Sequence, residues 1–313
     1  MRNCLFFGSA LLLFGVPAFA VPAYTFQTVI DPADTNFTQL LGIDNSGTIA
    51  GYFGDGMVVA NNGFTLALPG TFTPENYPAS LQTQVVGINN TGETVGFFVD
   101  GSGVTHGFTD FATILTAVTD PFAPTVTQLL GVNDSGEAAG YYTDGLGNFK
   151  PFTWQSGTFT PIPGFVSAQA TDVNNAGDIV GFNMTSATTA DGFLDIGGSF
   201  TTLDFPGSVF TQALGINNVG QVVGDYVDSF GAMHSFVYNI GTGTFQSLDD
   251  PNGIGTTTIN GINDNGQLVG FYVDGGDNTD GFVGTVVPEP GTLLLMGAAI
   301  LLGIGLTGWK RHA

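Results

Sequence analysis

The chain has 313 residues and a formal charge of −22, built from 26 acidic side chains against four lysines and arginines. Arg2, Lys310 and Arg311 lie at the two ends, which leaves Lys150 as the one Lys or Arg of the long middle. That balance excludes a nucleic-acid partner, which needs cationic side chains to displace phosphate counterions, and it repels anionic lipid headgroups. It does not mean disorder: 43% of residues are apolar and 28 are Phe, enough to build a core. With 48 Gly and only 10% charged residues, the composition fits many short strands joined by tight turns.

Residues 1–20 read as an export signal. Arg2 starts it, Leu5 to Val16 form a short apolar run, and Ala18-Phe19-Ala20 sets small residues at a cleavage site after Ala20. The run is too short for a comfortable membrane span. Cys4, the only cysteine, lies inside this segment, so the exported protein is expected to carry no disulfide or thiol chemistry.

From residue 21 to 287 the chain is a six-copy repeat, with a hairpin motif recurring as Gly42-Ile43-Asp44-Asn45-Ser46-Gly47 and Gly87-Ile88-Asn89-Asn90-Thr91-Gly92. It continues through Gly131–Gly136, Asp172–Gly177, Gly215–Gly220 and Gly261–Gly266, at steps of 41 to 46 residues. A further Gly follows nine residues after the first position of every copy: Gly51, Gly96, Gly140, Gly181, Gly224 and Gly270. Each copy reads as four strands. In the fifth these are Ser199 to Asp204, Thr211 to Ile216, Gln221 to Val227 and Met233 to Tyr238, with Asn217-Asn218-Val219-Gly220 as a turn. Gly224, inside a strand, marks a bulge or a close backbone approach.

The sixth copy ends after Gly281 to Val286, and Tyr24 to Pro32 resembles the first strand of a later copy. An N-terminal strand that completes the last blade would close a ring, so the predicted fold is an all-β six-bladed propeller, with an open β-array as the alternative. The repeat pattern, together with Thr105-His106-Gly107-Phe108, also resembles the HAF repeat of bacterial extracellular proteins. That resemblance implies an extracellular setting and assigns no activity.

Residues 288–313 form a second targeting segment. Val287-Pro288-Glu289-Pro290-Gly291-Thr292 precedes an apolar stretch running to Gly308, predicted as a transmembrane helix, and then Trp309-Lys310-Arg311-His312-Ala313. Lys310 and Arg311 should act as a cytoplasmic stop. This order resembles the PEP-CTERM sorting signal. The resemblance implies a Gram-negative bacterium, recognition by an exosortase-like membrane protease, transient anchoring in the inner membrane, and cleavage near Pro288, Glu289 and Pro290. The destination it implies is the cell surface, outer membrane or extracellular matrix, with the hydrophobic tail removed.

The candidates for chemistry are few. His106 and His234 share a repeat slot with Asn62, Lys150, Asp191 and Asp280, which fits a solvated position better than a catalytic one. Asp55, Asp100, Asp144, Asp228 and Asp274 recur four residues after the strand Gly, with Thr185 in the remaining copy, and read as turn residues. Asp274, Asp277 and Asp280 form the densest carboxylate group, a candidate Ca²⁺ site whose spacing departs from the EF-hand order. Phe64, Phe108, Phe152, Phe193, Phe236 and Phe282 occupy one repeat position and read as core; Trp154 and Tyr141-Tyr142 could instead offer rings to a sugar face. The function expected is that of an exported, non-catalytic propeller that binds or scaffolds exopolysaccharide or a surface protein. A glycan-active enzyme with paired carboxylates and a Ca²⁺-dependent adhesive module are the alternatives.

Overall fold

A computed structural model describes residues 23–123 and 125–287. The signal segment with Ala20, and the tail with Pro288, Glu289, Pro290, Lys310 and Arg311, lie outside the described residues. Among the described residues every regular element is a strand, arranged as six four-stranded antiparallel sheets. We number these blades 1 to 6 by their innermost strands: Thr38–Ile43, Gln82–Ile88, Thr127–Val132, Ala168–Val173, Phe210–Ile216 and Thr258–Ile262. Residues Tyr24–Val286 form one compact unit.

The N-terminal strand Ala23–Val29 lies beside Thr279–Val287 as the outermost strand of blade 6, as the offset in the repeats requires. Phe26 meets Phe282 edge-on at 5.4 Å, and Thr28 shares a hydrogen bond with the Tyr272 hydroxyl. The same offset runs through the array: Ser199–Leu203, at the front of the fifth sequence copy, is the outer strand of blade 4, paired with Ala190–Ile196. The sequence unit and the blade are therefore out of phase by one strand. A hairpin turn joins Ile196 to Ser199, whereas a longer loop separates Leu203 from Phe210, and backbone pairing follows the shorter connection.

Phe64, Phe108, Phe152, Phe193, Phe236 and Phe282 are all 0–3% exposed and fill the space between sheets. Each sits opposite the strand Gly of its own blade, as Gly224 pairs with Phe236. A Cβ on Gly224 would come within 1.9 Å of the Gln212 carbonyl oxygen and 3.0 Å of the Phe236 ring, and the other five are equally crowded by the inner strand. The glycine thus marks a close backbone approach. The bulge itself lies across the pair, in the inner strand, where Ala213 faces Gly224 and Gly215 faces Val223, so Leu214 is the extra residue. The same irregularity occurs in all six blades.

Antiparallel alternation places the turns between first and second strands at one rim. The loops between second and third strands, and those between blades, lie at the other. The start of Ala23–Val29 and the end of Thr279–Val287 both fall at the first rim. The opposite rim carries the most exposed apolar side chains, including Met57, Leu146 and Phe230, each at least 88% exposed.

Candidate functional site: the central channel and its rims

The six inner strands enclose a channel with a cavity of about 370 Å³. At its first rim the repeated Asn-Asn turns do more than reverse the chain. In each turn only the final Gly is left-handed, with φ between +75° and +86°. The first Asn caps the turn, as when Asn89 Oδ1 accepts the amides of Thr91 and Glu93 at 3.0 Å each. The next residue clasps the neighbouring blade. Asn45 N–H donates to Asn90 Oδ1, Asn90 to Asp134, Asp134 to Asn175, Asn175 to Asn218, Asn218 to Asp264 and Asp264 back to Asn45. All six links are 2.7–2.8 Å.

The residue types around this circle, Asn-Asn-Asp-Asn-Asn-Asp, satisfy it. The amide groups of Asn90 and Asn175 donate to Asp134 Oδ2, and those of Asn45 and Asn218 donate to Asp264 Oδ2. Burial pushes the two carboxyls upward, but these donors outweigh it and hold both below the usual carboxylate range. A second circle runs from each capping Asn to the next blade's carbonyl, with five links. It stops at Asp44, because a carboxylate has no proton to donate to the Asn89 carbonyl.

Further along the channel the inner strands alternate. Gln39, Gln84, Gln128, Gln169 and Gln212 line the wall, and the bulged residues Leu41, Val86, Leu130 and Leu214 line it one step on. Next comes a glycine in five blades, where the backbone lies against the next blade: a Cβ on Gly215 would meet the Asn260 carbonyl at 2.7 Å. Blades 4 to 6 depart from this pattern. Thr171 and Asn260 replace the apolar bulge residue, and Asp172 stands where the other blades have Gly. The Asp172 carboxylate accepts the amides of Val173 and Ile216, both at 2.9 Å. It remains partly accessible along the channel yet is walled in by protein, and burial pushes its carboxyl up to about 7.

A second departure sits behind Gln212. Tyr52, Phe97, Tyr141, Phe182 and Phe271 hold one position of the second strand; blade 5 has Asp225 there, 3% exposed and paired in register with Gln212. Burial raises this carboxyl to about 7 as well, only partly offset by hydrogen bonds that include one from Thr258. Asp225 Oδ1 and the nearby blade's Asn260 Oδ1 are both shut from solvent without a hydrogen-bond partner.

A third polar group lies between blades 1 and 2. Thr94 occupies a core position that is apolar elsewhere (Ile49, Ala138, Ile179, Val222, Leu268), and its hydroxyl donates to Glu75. Burial, with a smaller contribution from Asp110, raises Glu75 to about 7. Asp110 is raised too, by burial.

The residues singled out in the sequence fall elsewhere. Asp274 Oδ1 accepts the amides of Gly276 and Asn278 at 2.7 and 2.9 Å, with the Asn278 backbone bond chief among those holding its carboxyl low. Asp277 is a left-handed turn residue at φ +64°, and Asp280 is buried beside Tyr272. The Asp274 carboxylate is thus spent on its own loop. Among the described residues no group of three or more acidic, His or Cys side chains is arranged to hold a metal ion.

The histidine slot turns out to staple loops. His106 meets Asp100 at 3.2 Å and Thr119 at 2.8 Å. His234 meets Asp249 at 2.7 Å and Asp228 at 3.6 Å, and Lys150 meets Asp144 at 3.5 Å and the Val166 carbonyl at 2.8 Å. Trp154 and Tyr142 pack against the blade 3 core, and Tyr141 is buried edge-on to Phe149. Val287 ends the last strand. The clasp, Asp172 and Asp225 escaped the sequence reading, although each was visible as a residue type recurring, or failing to recur, at a fixed repeat position.

The family model that matches is the PEP-CTERM protein-sorting motif, over residues 286–311. No curated protein matches the chain. Among solved structures, the chain resembles the TolB-assigned protein of Agrobacterium tumefaciens at 10% identity and a TM-score of 0.59, covering 86% of this chain and 100% of that one. It also resembles TolB of Acinetobacter baumannii, at 12% identity and a TM-score of 0.54, over 78% of this chain and 67% of that one. A lectin of Aleuria aurantia in complex with Fucα1-6GlcNAc gives 14% identity and a TM-score of 0.51, over 82% and 98%. At these identities the likeness is one of fold, and it supports the six-bladed propeller.

Proposed function

We propose that the chain is an exported surface protein whose propeller binds or scaffolds a partner without catalysis, the partner being the producer's exopolysaccharide or a surface protein. The matched sorting motif carries this reading, because it marks the chain for export through an exosortase-like membrane protease with transient anchoring. The propeller suits presentation. The first and last described strands begin and end at the Asn-turn rim, and the opposite rim carries the exposed apolar loop tips that a partner could contact. Each histidine is tied to a loop carboxylate, His106 to Asp100 and His234 to Asp249, and His106 also meets the Thr119 hydroxyl at 2.8 Å.

The test is made in the producing cell. Replacing Pro288, Glu289 and Pro290 by Ala should block processing and shift the protein from the surface and matrix fractions to the inner membrane. Surface biotinylation and mass measurement of the C-terminus read this out. An unchanged distribution would refute the sorting route, and failure of the processed protein to sediment with the cell's own polymer would refute exopolysaccharide as partner.

A further inference from the structure

We propose that the rim opposite the Asn turns docks a basic amphipathic segment of a partner protein, with Met57, Leu146 and Phe230 as apolar anchors and the loop aspartates as its electrostatic complement. The proposal rests on the reading of the propeller as an exported binding module and commits its partner to a protein.

Exposed apolar side chains are ordinary when scattered, but here they are gathered. Among the described residues the large apolar side chains from Ile254, at 72% exposed, up to Phe230, at 94%, all lie in loops of this rim. At the Asn-turn rim the most exposed is Ile114, at 68%. Three of the gathered side chains share one repeat position. Two residues after the recurring loop aspartate stand Met57, Leu146 and Phe230 in blades 1, 3 and 5, against Ser102, Ala187 and Gly276 in blades 2, 4 and 6. The apolar member therefore falls on alternate blades, spaced around the ring, and Phe122, Val166 and Ile254 in the loops between blades add to the same rim. The anchors are held in place by the aspartate before them. Asp55 Oδ1 accepts the Met57 amide at 2.9 Å, and Asp144 Oδ1 and Asp228 Oδ1 accept those of Leu146 and Phe230 at 2.8 Å each. These loops are already ordered, so less conformational freedom remains to be lost when a partner docks.

Charge selects the occupant. Asp55, Asp100, Asp144, Asp228 and Asp274 all lie in the same loops, and each is held below the usual carboxylate range, chiefly by the backbone amide four residues on. They are ionised at neutral pH. Against them the propeller sets one Lys, Lys150, already 3.5 Å from Asp144. A second copy docked rim to rim would bring these carboxylates against their own kind, and an anionic lipid surface would meet the same repulsion. A polysaccharide is matched by aromatic faces with polar edges, whereas Met57 and Leu146 are aliphatic. Met and Phe are enriched in protein interfaces, and complementary charge sets the partner's orientation and its rate of encounter. A segment with apolar side chains on one face and Lys or Arg beside them meets both features of the rim.

The experiment measures fluorescence anisotropy of labelled peptides with the full chain in phosphatidylcholine nanodiscs, empty discs serving as the blank. The probe is a Leu/Lys peptide patterned as an amphipathic helix. A Ser/Lys peptide of equal charge and a Leu/Glu peptide are the controls. The Leu/Lys peptide should bind, and Phe230→Ser should weaken it roughly tenfold, with roughly a hundredfold or more lost when Met57→Ser and Leu146→Ser are added. Blade 2 already carries Ser102 at this position, so the triple variant should fold, as an unchanged Tm would show. Val219→Ser, at the Asn-turn rim, should leave affinity unchanged. Failure of the Leu/Lys peptide to bind, equal binding of either control, or indifference to the triple variant would each overturn the proposal. So would co-sedimentation with added phosphatidylcholine vesicles, or pairing of the discs, that the triple variant abolishes, because the occupant would then be lipid or a second copy. Surface biotinylation reads export separately, so these failures leave export standing, and a protein that binds the peptide but never reaches the surface would fail the export reading alone.

Discussion

At the turn end of the inner strands, Asn45, Asn90, Asp134, Asn175, Asn218 and Asp264 close a circle in which each residue's backbone N–H donates to the next blade's side chain. A few residues back from the turns, on the inner and second strands, blades 5 and 6 abandon the pattern and leave Asp225 and Asn260 oxygens unpaired. Both regions are polar and both line or adjoin the channel. The first is complete within the protein, so its polarity is explained by closure of the ring. The second is incomplete, so burial raises the Asp225 carboxyl to about 7 and its polarity is a cost to the fold once it ionises. In a repeat protein, a departure from the repeat that also leaves a group unsatisfied needs an account separate from packing and closure.

The sharpest way to break the contrast is to spoil the clasp. Asn175→Asp removes the amide donor that reaches Asp134 Oδ2 at 2.7 Å and sets two carboxylates against each other. The loss should be about 2 kcal/mol at pH 7, combining a charge-assisted hydrogen bond with like-charge repulsion. Urea denaturation should show much of it recovered near pH 4, as the new pair takes up a proton. Loss of the same size at every pH would mean that the circle is held by shape rather than by the Asn-to-Asp donors.

The buried acids should act in the opposite sense. Glu75, Asp172 and Asp225 are each raised to about 7 by burial, against about 4 in the unfolded chain. Between those values the folded state holds more protons than the unfolded one, so stability falls as pH rises from about 4 to 7 and then levels off. Below about 4 the loop aspartates held under their ordinary range, Asp55 and Asp274 among them, reverse the slope as they protonate. Asp225→Asn should therefore change little at pH 4.5 and gain on the order of 1–2 kcal/mol at pH 8, after discounting for relaxation and solvent access. Thermal melts across that range check it, and a slope unaltered by the substitution would show that Asp225 ionises freely.

Much of the fold was legible in the sequence because it resides in local chemistry. Turn glycines, the strand glycine opposite each core Phe and the displaced copy at Tyr24–Val29 specify hairpins, blade count and closure without knowledge of distant contacts. The blade boundary was legible only at the ends of the array, where the displaced copy at Tyr24–Val29 shows that the front strand of a copy pairs with the preceding blade; within the array, pairing partners are set by loop length and packing. The clasp was hidden for a related reason. Asn45 and Asp264 are 219 residues apart, and only a closed ring makes the Asn-Asn-Asp order meaningful. Asp172 and Asp225 stand out only once the blades are superposed, where the other blades hold Gly and an aromatic ring at those positions.

The smallest effect is expected where the sequence is most densely acidic. Asp274, Asp277 and Asp280 look like a cation site by spacing, yet Asp274 is occupied with the Gly276 and Asn278 amides, Asp277 is a turn residue, and Asp280 is turned toward Tyr272. An Asx-type cap leaves its carboxylate little freedom to regroup around an ion that needs six to eight oxygens. Asp274→Asn keeps one acceptor oxygen for the same amides, so Tm should move less than for either variant above. Millimolar Ca²⁺ should leave Tm unchanged in both forms, with EDTA equally without effect. A clear Ca²⁺-dependent rise in the unsubstituted protein, lost in Asp274→Asn, would reverse the contrast between the two kinds of acidic residue, because it would make the rim loop, which satisfies itself, the site that recruits a cation.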